Sequence, residues 1–560
     1  MMISVIRILD FIMLRLMDIS GWKFITLLAQ ETFKNFIELI NLSGIKSTTI
    51  LSLIVISILA GANFFIFLFT QKLCDKKPIQ ISFKKMSCYC LGGLSILGTL
   101  AYAIKDFDTP SYYAKALPWQ WSFLCAKTKQ IEVSNFLLPS KKMALDTIDS
   151  TLLPLERRPD IFLFVVESLR KDFLTEELTP TLANFSNNNY SFENALSNAN
   201  STHPSWFSLF YSLYPFYWTK YASPQWEQGA IPLSFLKKMG YEIHVYSSPS
   251  LEFYGMDQEI FGKNRYLVNH MNDFSSTLST SPAEKDQMVI EKLCKDLQES
   301  SQKNGRLFIL FLDGTHYPYS SLKTRKTALP SAIKDIKIPD IQHISLLKHV
   351  FGLKKGVSEL QYHYKNALCA IDDLFKTFQE TLNQTGNWED SVIVFTGDHG
   401  EEFNESGCIF HTSHLSLPQL DIPLYVKLGK SFEETSPDCR RKASHIDVFP
   451  TLLHYLTGKN VWASFFQGES LLDTQKKDYT IGIRSNASLA PYEFYIQRGP
   501  YRATLEFFQR EDIFHSQLLK IQSIVNEKEE RISFSSAFFQ QQFGEALDQL
   551  FPLQEQNTNK

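Results

Sequence analysis

The sequence predicts an α/β fold, a mostly parallel sheet flanked by helices and preceded by N-terminal transmembrane helices. Two observations predict the sheet. The runs Asp160-Ile-Phe-Leu-Phe-Val-Val-Glu167 and Val392-Ile-Val-Phe-Thr-Gly-Asp398 are continuous, apolar and of strand length, as expected of strands covered on both faces. Further strand and helix patterns alternate between them, the succession that builds a parallel sheet. A third observation predicts the membrane region: residues 47–71 carry no charge and include an apolar run, 51–69, long enough to span a bilayer.

Taken from the N-terminus, residues 1–105 read as that membrane region. Residues 3–17 are apolar but carry Arg7, Asp10 and Arg15, and residues 22–42 show helical apolar spacing interrupted by Lys23, Glu31, Lys34 and Glu38. Both predict amphipathic helices, lying at the interface or packed within the membrane domain. Spans are expected at about 48–70 and 86–104. The loop between them, 72–85, holds five lysines against Asp75, and the positive-inside rule places it in the cytoplasm. Everything after Ile104 is then expected on the outer face. No small-residue cleavage site follows the first segment, so no cleavable signal peptide is expected. Residues 106–157, with Trp119 and Trp121, read as a juxtamembrane linker or as a loop packed on the domain that follows.

Residues 158–470 carry the chemistry. Glu167 and Asp398 each end an apolar strand, so both face the carboxyl edge, where open α/β sheets place ligands and metals. His399 adds an imidazole beside Asp398. In Asn198-Ala-Asn-Ser-Thr-His-Pro-Ser-Trp206, Pro204 can open a helix packed through Trp206, Phe207, Leu209, Phe210 and Leu213. Ser201 and Thr202 then stand at its N-terminus, where backbone N–H groups and the helix dipole favour an anion and a deprotonated hydroxyl. A helix at 231–239, strands at 241–246 and 306–312 and a helix at 360–382 complete the alternation, and His244, between apolar neighbours, reads as structural. The basic stretch 320–356 reads as a solvated loop, or as an insertion near the site mouth able to hold anionic lipid head groups. Residues 471–560 carry no readable motif and predict a short α+β subdomain closing the sheet edge, then a polar tail.

At 560 residues the chain exceeds one ordinary domain, and 44% hydrophobic content is enough for a large core. A net charge of −3 argues against a nucleic-acid partner. The eight cysteines show no metal-binding spacing and leave the redox compartment open.

Over roughly 158–460 these motifs resemble the alkaline phosphatase and sulfatase superfamily. Within it they are most similar to the membrane-anchored branch of lipoteichoic acid synthases, lipid A phosphoethanolamine transferases and PbgA/YejM-type inner-membrane proteins. The markers are Glu167, Thr202 before a helix, Asp313-Gly-Thr-His316-Tyr-Pro-Tyr, Gly-Asp398-His399-Gly-Glu, His411 twelve residues later, and Ser444-His-Ile-Asp447-Val-Phe-Pro450. Sulfatases carry Cys or Ser, any residue, Pro, Ser and Arg, and oxidise the first to formylglycine; here the stretch is Thr202-His-Pro-Ser-Trp206. Threonine cannot give that aldehyde. The resemblance therefore implies the phosphoryl-transfer branch with Thr202 as nucleophile, Ser201 being the alternative.

The resemblance further implies metal ligation by Glu167, Thr202, Asp398 and His399, a donor set suited to Zn²⁺ or Mn²⁺. It gives His316 and His411 the task of holding phosphate oxygens or protonating the leaving group; the alternative for each is a hydrogen-bonded histidine lining the core. The expected enzyme sits in a bacterial-type inner membrane with its catalytic domain outside. It takes a phospholipid donor and transfers phosphoethanolamine or phosphoglycerol to an envelope glycan or lipid acceptor through a phospho-threonine intermediate. Two alternatives stand beside it: a phosphodiesterase or sulfatase-like hydrolase, and a non-catalytic lipid-binding envelope protein. Degenerate relatives lose metal residues, whereas all four are present here, which favours the enzyme.

Overall fold

The computed structural model of the chain describes residues 129–134, 155, 158–218, 227–277, 280–300, 305–322, 354–429, 437–459, 466–474, 477–484, 491–509 and 513–552, with the backbone alone at 254 and 354–356. The amphipathic helices and spans expected in residues 1–105, most of the linker and most of the basic stretch lie outside the described residues. Among the described residues no helix is long and apolar enough to cross a membrane.

In chain order the strands are β1 (Gln130–Glu132), β2 (Ile161–Val166), β3 (Tyr190–Ser191), β4 (Asn194–Leu196), β5 (Glu242–Ser247), β6 (His270–Asp273), β7 (Arg306–Leu312), β8 (Val392–Gly397), β9 (Glu402–Phe403), β10 (Ile409–Phe410), β11 (Leu424–Lys427), β12 (Lys442–Ser444), β13 (Tyr479–Ile483), β14 (Glu493–Arg498), β15 (Tyr501–Phe507) and β16 (Leu518–Val525). The helices are α1 (Pro180–Asn187), α2 (Thr202–Tyr211), α3 (Ile231–Lys238), α4 (Met256–Phe261), α5 (Pro282–Glu299), α6 (Lys354–Gln384), α7 (Leu417–Leu420), α8 (Val448–Thr457) and α9 (Ser536–Leu550).

The main sheet runs β3-β11-β8-β2-β7-β5-β6. Strands β8, β2, β7, β5 and β6 are parallel, as expected of a mostly parallel sheet, whereas β11 and β3 are added antiparallel on one side and make the whole a mixed one. The sequence could not give this. A strand such as Leu424–Lys427, which lies between β3 and β8, carries no mark of its direction, which follows from the length and path of the connection.

Strand β2 explains the apolar run. Ile161, Leu163 and Val165 face one core with α2 and α3, and Phe162, Phe164 and Val166 face another with α5 and α6. All six are fully buried, each contributing about 1.5–3 kcal/mol of hydrophobic transfer. The helices follow from equally local causes. A capping box of Ser281 and Glu284, with Pro282 in the first turn, starts α5. Helix α6 buries Leu360, Tyr364, Ala367, Leu368, Ile371, Phe375, Phe378 and Leu382, an apolar stripe at helical spacing.

A second sheet, β1-β16-β15-β14-β13, is antiparallel throughout. The C-terminal stretch thus builds its own sheet, with Phe539 and Phe543 of α9 in the same core, rather than extending the edge of the first. It recruits β1 from the stretch read as a linker.

One buried carboxyl on this scaffold has a measurable consequence. Glu259 on α4 accepts a hydrogen bond from Trp218 Nε1 at 2.9 Å, while its Oε1 has no partner among the described residues. Burial pushes its pKa up to about 8, and the Trp218 bond offsets only part of this. The folded chain therefore holds a proton that the unfolded chain, near 4.5, releases, and stability falls as pH rises between these values. Glu259→Gln is expected to flatten that slope and to raise the Tm by several degrees above about pH 8. Thermal melts across this range check it; an unchanged slope would refute the assignment.

Candidate active site

Glu167 leaves β2 with its N–H still bonded to the Leu312 carbonyl at 2.9 Å, and the chain then turns through Ser168, whose φ of 56° is left-handed and strained for a serine. Two long-range bonds hold that turn. Ser168 N–H donates to Asp398 Oδ1 at 2.9 Å, and the Ser168 carbonyl accepts from the Tyr364 hydroxyl at 2.7 Å. Asp398 leaves β8 in the same way, donating its N–H to the Val166 carbonyl. The two carboxylates thus stand on adjacent parallel strands at one edge. Glycines bracket Asp398 and His399 for a steric reason: a Cβ at Gly397 would lie 2.8 Å from the Leu169 carbonyl oxygen, and one at Gly400 2.1 Å from that of Pro418.

Thr202 opens α2 two residues ahead of Pro204, with Ser201 as the N-cap residue. Its Oγ1 donates to Glu167, 3.2 Å from Oε1 and 3.1 Å from Oε2. The buried Ser201 Oγ has no partner among the described residues. Contact with the carboxylate therefore distinguishes Thr202 from its neighbour.

His399 places its Nδ1 2.9 Å from the Gly400 carbonyl, a contact that fixes Nδ1 as the donor and turns Nε2 toward the carboxylates. Nε2 lies 3.2 Å from Glu167 Oε1 and 3.7 Å from Asp398 Oδ2, yet neither it nor Asp398 Oδ2 has an aligned hydrogen-bond partner. Buried polar atoms left this way cost free energy unless something else satisfies them. Two buried carboxylates, an imidazole lone pair and a hydroxyl facing one another fit a divalent cation, and the mixed oxygen and nitrogen set fits Zn²⁺ or Mn²⁺. The charges say the same without an ion. Burial and the neighbouring Glu167 charge hold the Asp398 carboxyl well above its usual range. For Glu167 burial opposes ionisation, but the His399 imidazole 3.2 Å away, when it carries a proton, outweighs it and holds the carboxyl well below the ordinary range.

His316 and His411 reach the same place. The His411 ring lies 4.4 Å from that of His399 and 5.5 Å from that of His316, forming a row of three imidazoles. His411 Nδ1 is 3.3 Å from the buried Glu401 Oε1. Glu167, His399 and His411 each present one donor atom within 4.8 Å of the others, so His411 lies close enough to join the metal ligands as well as to meet a phosphate.

Three supporting residues escaped the reading of the sequence. Asp286 of α5 accepts from the N–H groups of Asp313 and Gly314, at 2.8 and 2.7 Å, and from the Ser248 hydroxyl at 2.5 Å, fixing the loop that carries His316. A signal for it existed: Asp286 shares the buried stripe of Ala283, Ile290, Leu293 and Leu297, a carboxylate on an apolar face. Glu401 supports His411. Arg170 donates to the Glu401 carbonyl and to Glu405, clamping the loop after His399. Conversely, His445 lies 2.8 Å from the Gly397 carbonyl and Asp447 caps the turn begun by Ser444, so that motif buttresses the strand end. Trp206, in the place of the sulfatase arginine, is fully buried against Phe311 and Phe210 and brings no charge to the site.

The sulfatase family model matches residues 159–458. The lipoteichoic acid synthase-like protein YvgJ of Bacillus subtilis is 25% identical over 360 residues, 60% of this chain and 53% of YvgJ. An uncharacterized protein of Haemophilus influenzae is 22% identical over 361 residues, 63% of this chain and 51% of that protein. The chain thus spans about half the length of these two relatives. Among solved structures the 2-O GAG sulfatase BT1596 superposes with a TM-score of 0.50 at 12% identity, covering 70% of this chain and 90% of that one, a likeness of fold. A family match over more than half of the chain, spanning every element that brings Glu167, Thr202, Asp398 and His399 together, establishes that the chain belongs to the sulfatase family.

Proposed function

We propose that this chain is a membrane-bound phosphoryl-transfer enzyme that moves phosphoethanolamine or phosphoglycerol from a phospholipid to an envelope glycan or lipid through a phospho-Thr202 intermediate. The observation that carries the reading is the Thr202 hydroxyl resting on the Glu167 carboxylate beside the unsatisfied Asp398 and His399 atoms. No Cys or Ser able to become formylglycine stands in its place. Glu167, Thr202, Asp398 and His399 would hold a divalent ion, which when bound supplies the positive charge that activates a hydroxyl and offsets phosphoryl charge.

The chain's own residues divide the remaining work. Thr202 Oγ1, giving its proton toward Glu167, forms the new bond to phosphorus. The bond from phosphorus to the diacylglycerol oxygen breaks, and that oxygen takes a proton from His316 or His411. The acceptor hydroxyl then gives its proton to the histidine that lost one and attacks phosphorus, the Thr202 oxygen leaves, and the proton held at Glu167 returns to restore the threonine hydroxyl. Water as acceptor gives the hydrolase variant of the same chemistry. The relative named as lipoteichoic acid synthase-like supports a phosphoglycerol donor.

The uncharged runs 47–71 and 86–104 and the lysines between them support placing this site on the outer face, where lipid head groups lie. Tags within 72–85 are expected to stay protected in intact cells, and a C-terminal tag to be protease-accessible; a protected C-terminus would overturn the topology. The chemistry is tested by incubating the full chain with phosphatidylethanolamine or phosphatidylglycerol and Zn²⁺ or Mn²⁺, then locating the adduct by mass spectrometry. A phosphoethanolamine or phosphoglycerol mass on Thr202 with release of diacylglycerol is expected. No adduct from either lipid would overturn the head-group reading.

A further inference from the structure

A second cluster of metal-binding side chains lies at the far end of the main sheet. Glu242 and His244 are two residues apart on β5 and share a sheet face, and His270 on β6 is the register partner of His244. The result is geometric convergence. The two imidazole rings lie 4.5 Å apart, Glu242 Oε2 is 3.4 Å from His244 Nε2, and the three residues each offer one donor atom within 4.8 Å of the others.

We infer that Glu242, His244 and His270 form a second divalent-cation site, of the Zn²⁺ class, that clips the edge strand β6 to β5. Two neutral imidazoles and one carboxylate are a borderline donor set, and a water completes four-coordination. His244 is the fixed member, its side chain 13% exposed, whereas the Glu242 side chain is 41% exposed and His270 lies at the surface, so both are free to close on an ion. The neighbouring cations have partners of their own. Arg306, the register partner of Glu242 on β7, puts positive charge near His244 that its pairing with the buried Asp160 offsets, and Lys237 donates to Asn269 Oδ1.

The site serves the sheet rather than the reaction. Glu242 and His244 stand in the amino-terminal half of β5, and His270 begins β6, whereas Glu167 and Asp398 stand at the carboxyl ends of their strands. Strand β6 is an edge, held to β5 by four register pairs. An ion bound there stabilises the folded state alone and raises the melting temperature by mass action.

The test separates this site from the catalytic one by working in the Asp398→Asn background. The full-length protein, stripped with chelator, is dialysed against Zn²⁺, and bound zinc is measured together with the Tm. Asp398→Asn is expected to retain one equivalent and to melt several degrees higher with zinc. Adding His270→Gln or Glu242→Gln should remove both effects, while His270→Gln alone leaves phosphodiester turnover at the wild-type rate. Failure of Asp398→Asn to retain zinc, or retention of that equivalent after His270→Gln, would overturn the site. The catalytic reading is judged apart from this, by adduct formation on Thr202.

Discussion

Thr202→Ala is expected to abolish the covalent adduct and to lower kcat/KM by ~10,000-fold, about 5 kcal/mol of transition-state stabilisation. The loss is large because the methyl that remains can neither bond to phosphorus nor sit on the Glu167 carboxylate, from which Oγ1 is 3.1 Å away. Thr202→Ser keeps the oxygen and should keep part of both adduct and rate. Ser201→Ala, which removes a hydroxyl without a partner among the described residues, should leave turnover within a few fold. Single-turnover kinetics with mass spectrometry of the trapped enzyme distinguish these cases. Normal rates in Thr202→Ala together with loss in Ser201→Ala would move the nucleophile by one residue.

Asp398→Asn is expected to act in opposite directions on activity and on stability without metal. Substitution keeps the acceptor that holds the Ser168 and His399 N–H groups, at 2.9 and 2.7 Å, but replaces the unsatisfied Oδ2 by a neutral amide. Metal affinity should fall by more than about 100-fold, the upper range for loss of a mere outer-shell partner, and turnover should fall with it. In chelator the variant should melt a few degrees above wild type, because it no longer buries a carboxyl that must hold a proton beside the Glu167 charge. The wild-type form in chelator should also weaken as pH rises, since the raised Asp398 pKa means that the folded state binds the extra proton. Melting curves with and without metal read both effects. Equal destabilisation in both conditions would remove the cation from the account.

Some of the site was legible because chemistry and strand pattern coincide in the sequence. Glu167 and Asp398 could be placed on one edge because each ends a run apolar enough to be central, and Thr202 because a proline marks the helix that it opens. Other parts were illegible for identifiable reasons. Asp286 acts from a helix remote in sequence from the loop that it holds. His411, which meets Glu401, stands between left-handed residues at Phe410 and Thr412, with φ of 72° and 67°, which neither side chain announces. The antiparallel β11 and the recruitment of β1 into the second sheet are long-range pairings, decided by what else the chain buries.

The central position of β2 bears on how the protein is made. Its neighbours on either side, β7 and β8, are synthesised long afterwards, and the bond from Ser168 to Asp398 spans 230 residues. At ribosomal speed that interval is on the order of ten to fifty seconds. Until β7 is made the nascent chain displays six apolar residues with no sheet partner, and until β8 is made one edge of β2 stays open, a hazard for aggregation. Glu167 and Thr202 also emerge well before Asp398 and His399, so no premature fragment ending ahead of β8 can assemble the centre. Holding factors that shield exposed strands should therefore limit the yield of this enzyme more than the rate of its translation does.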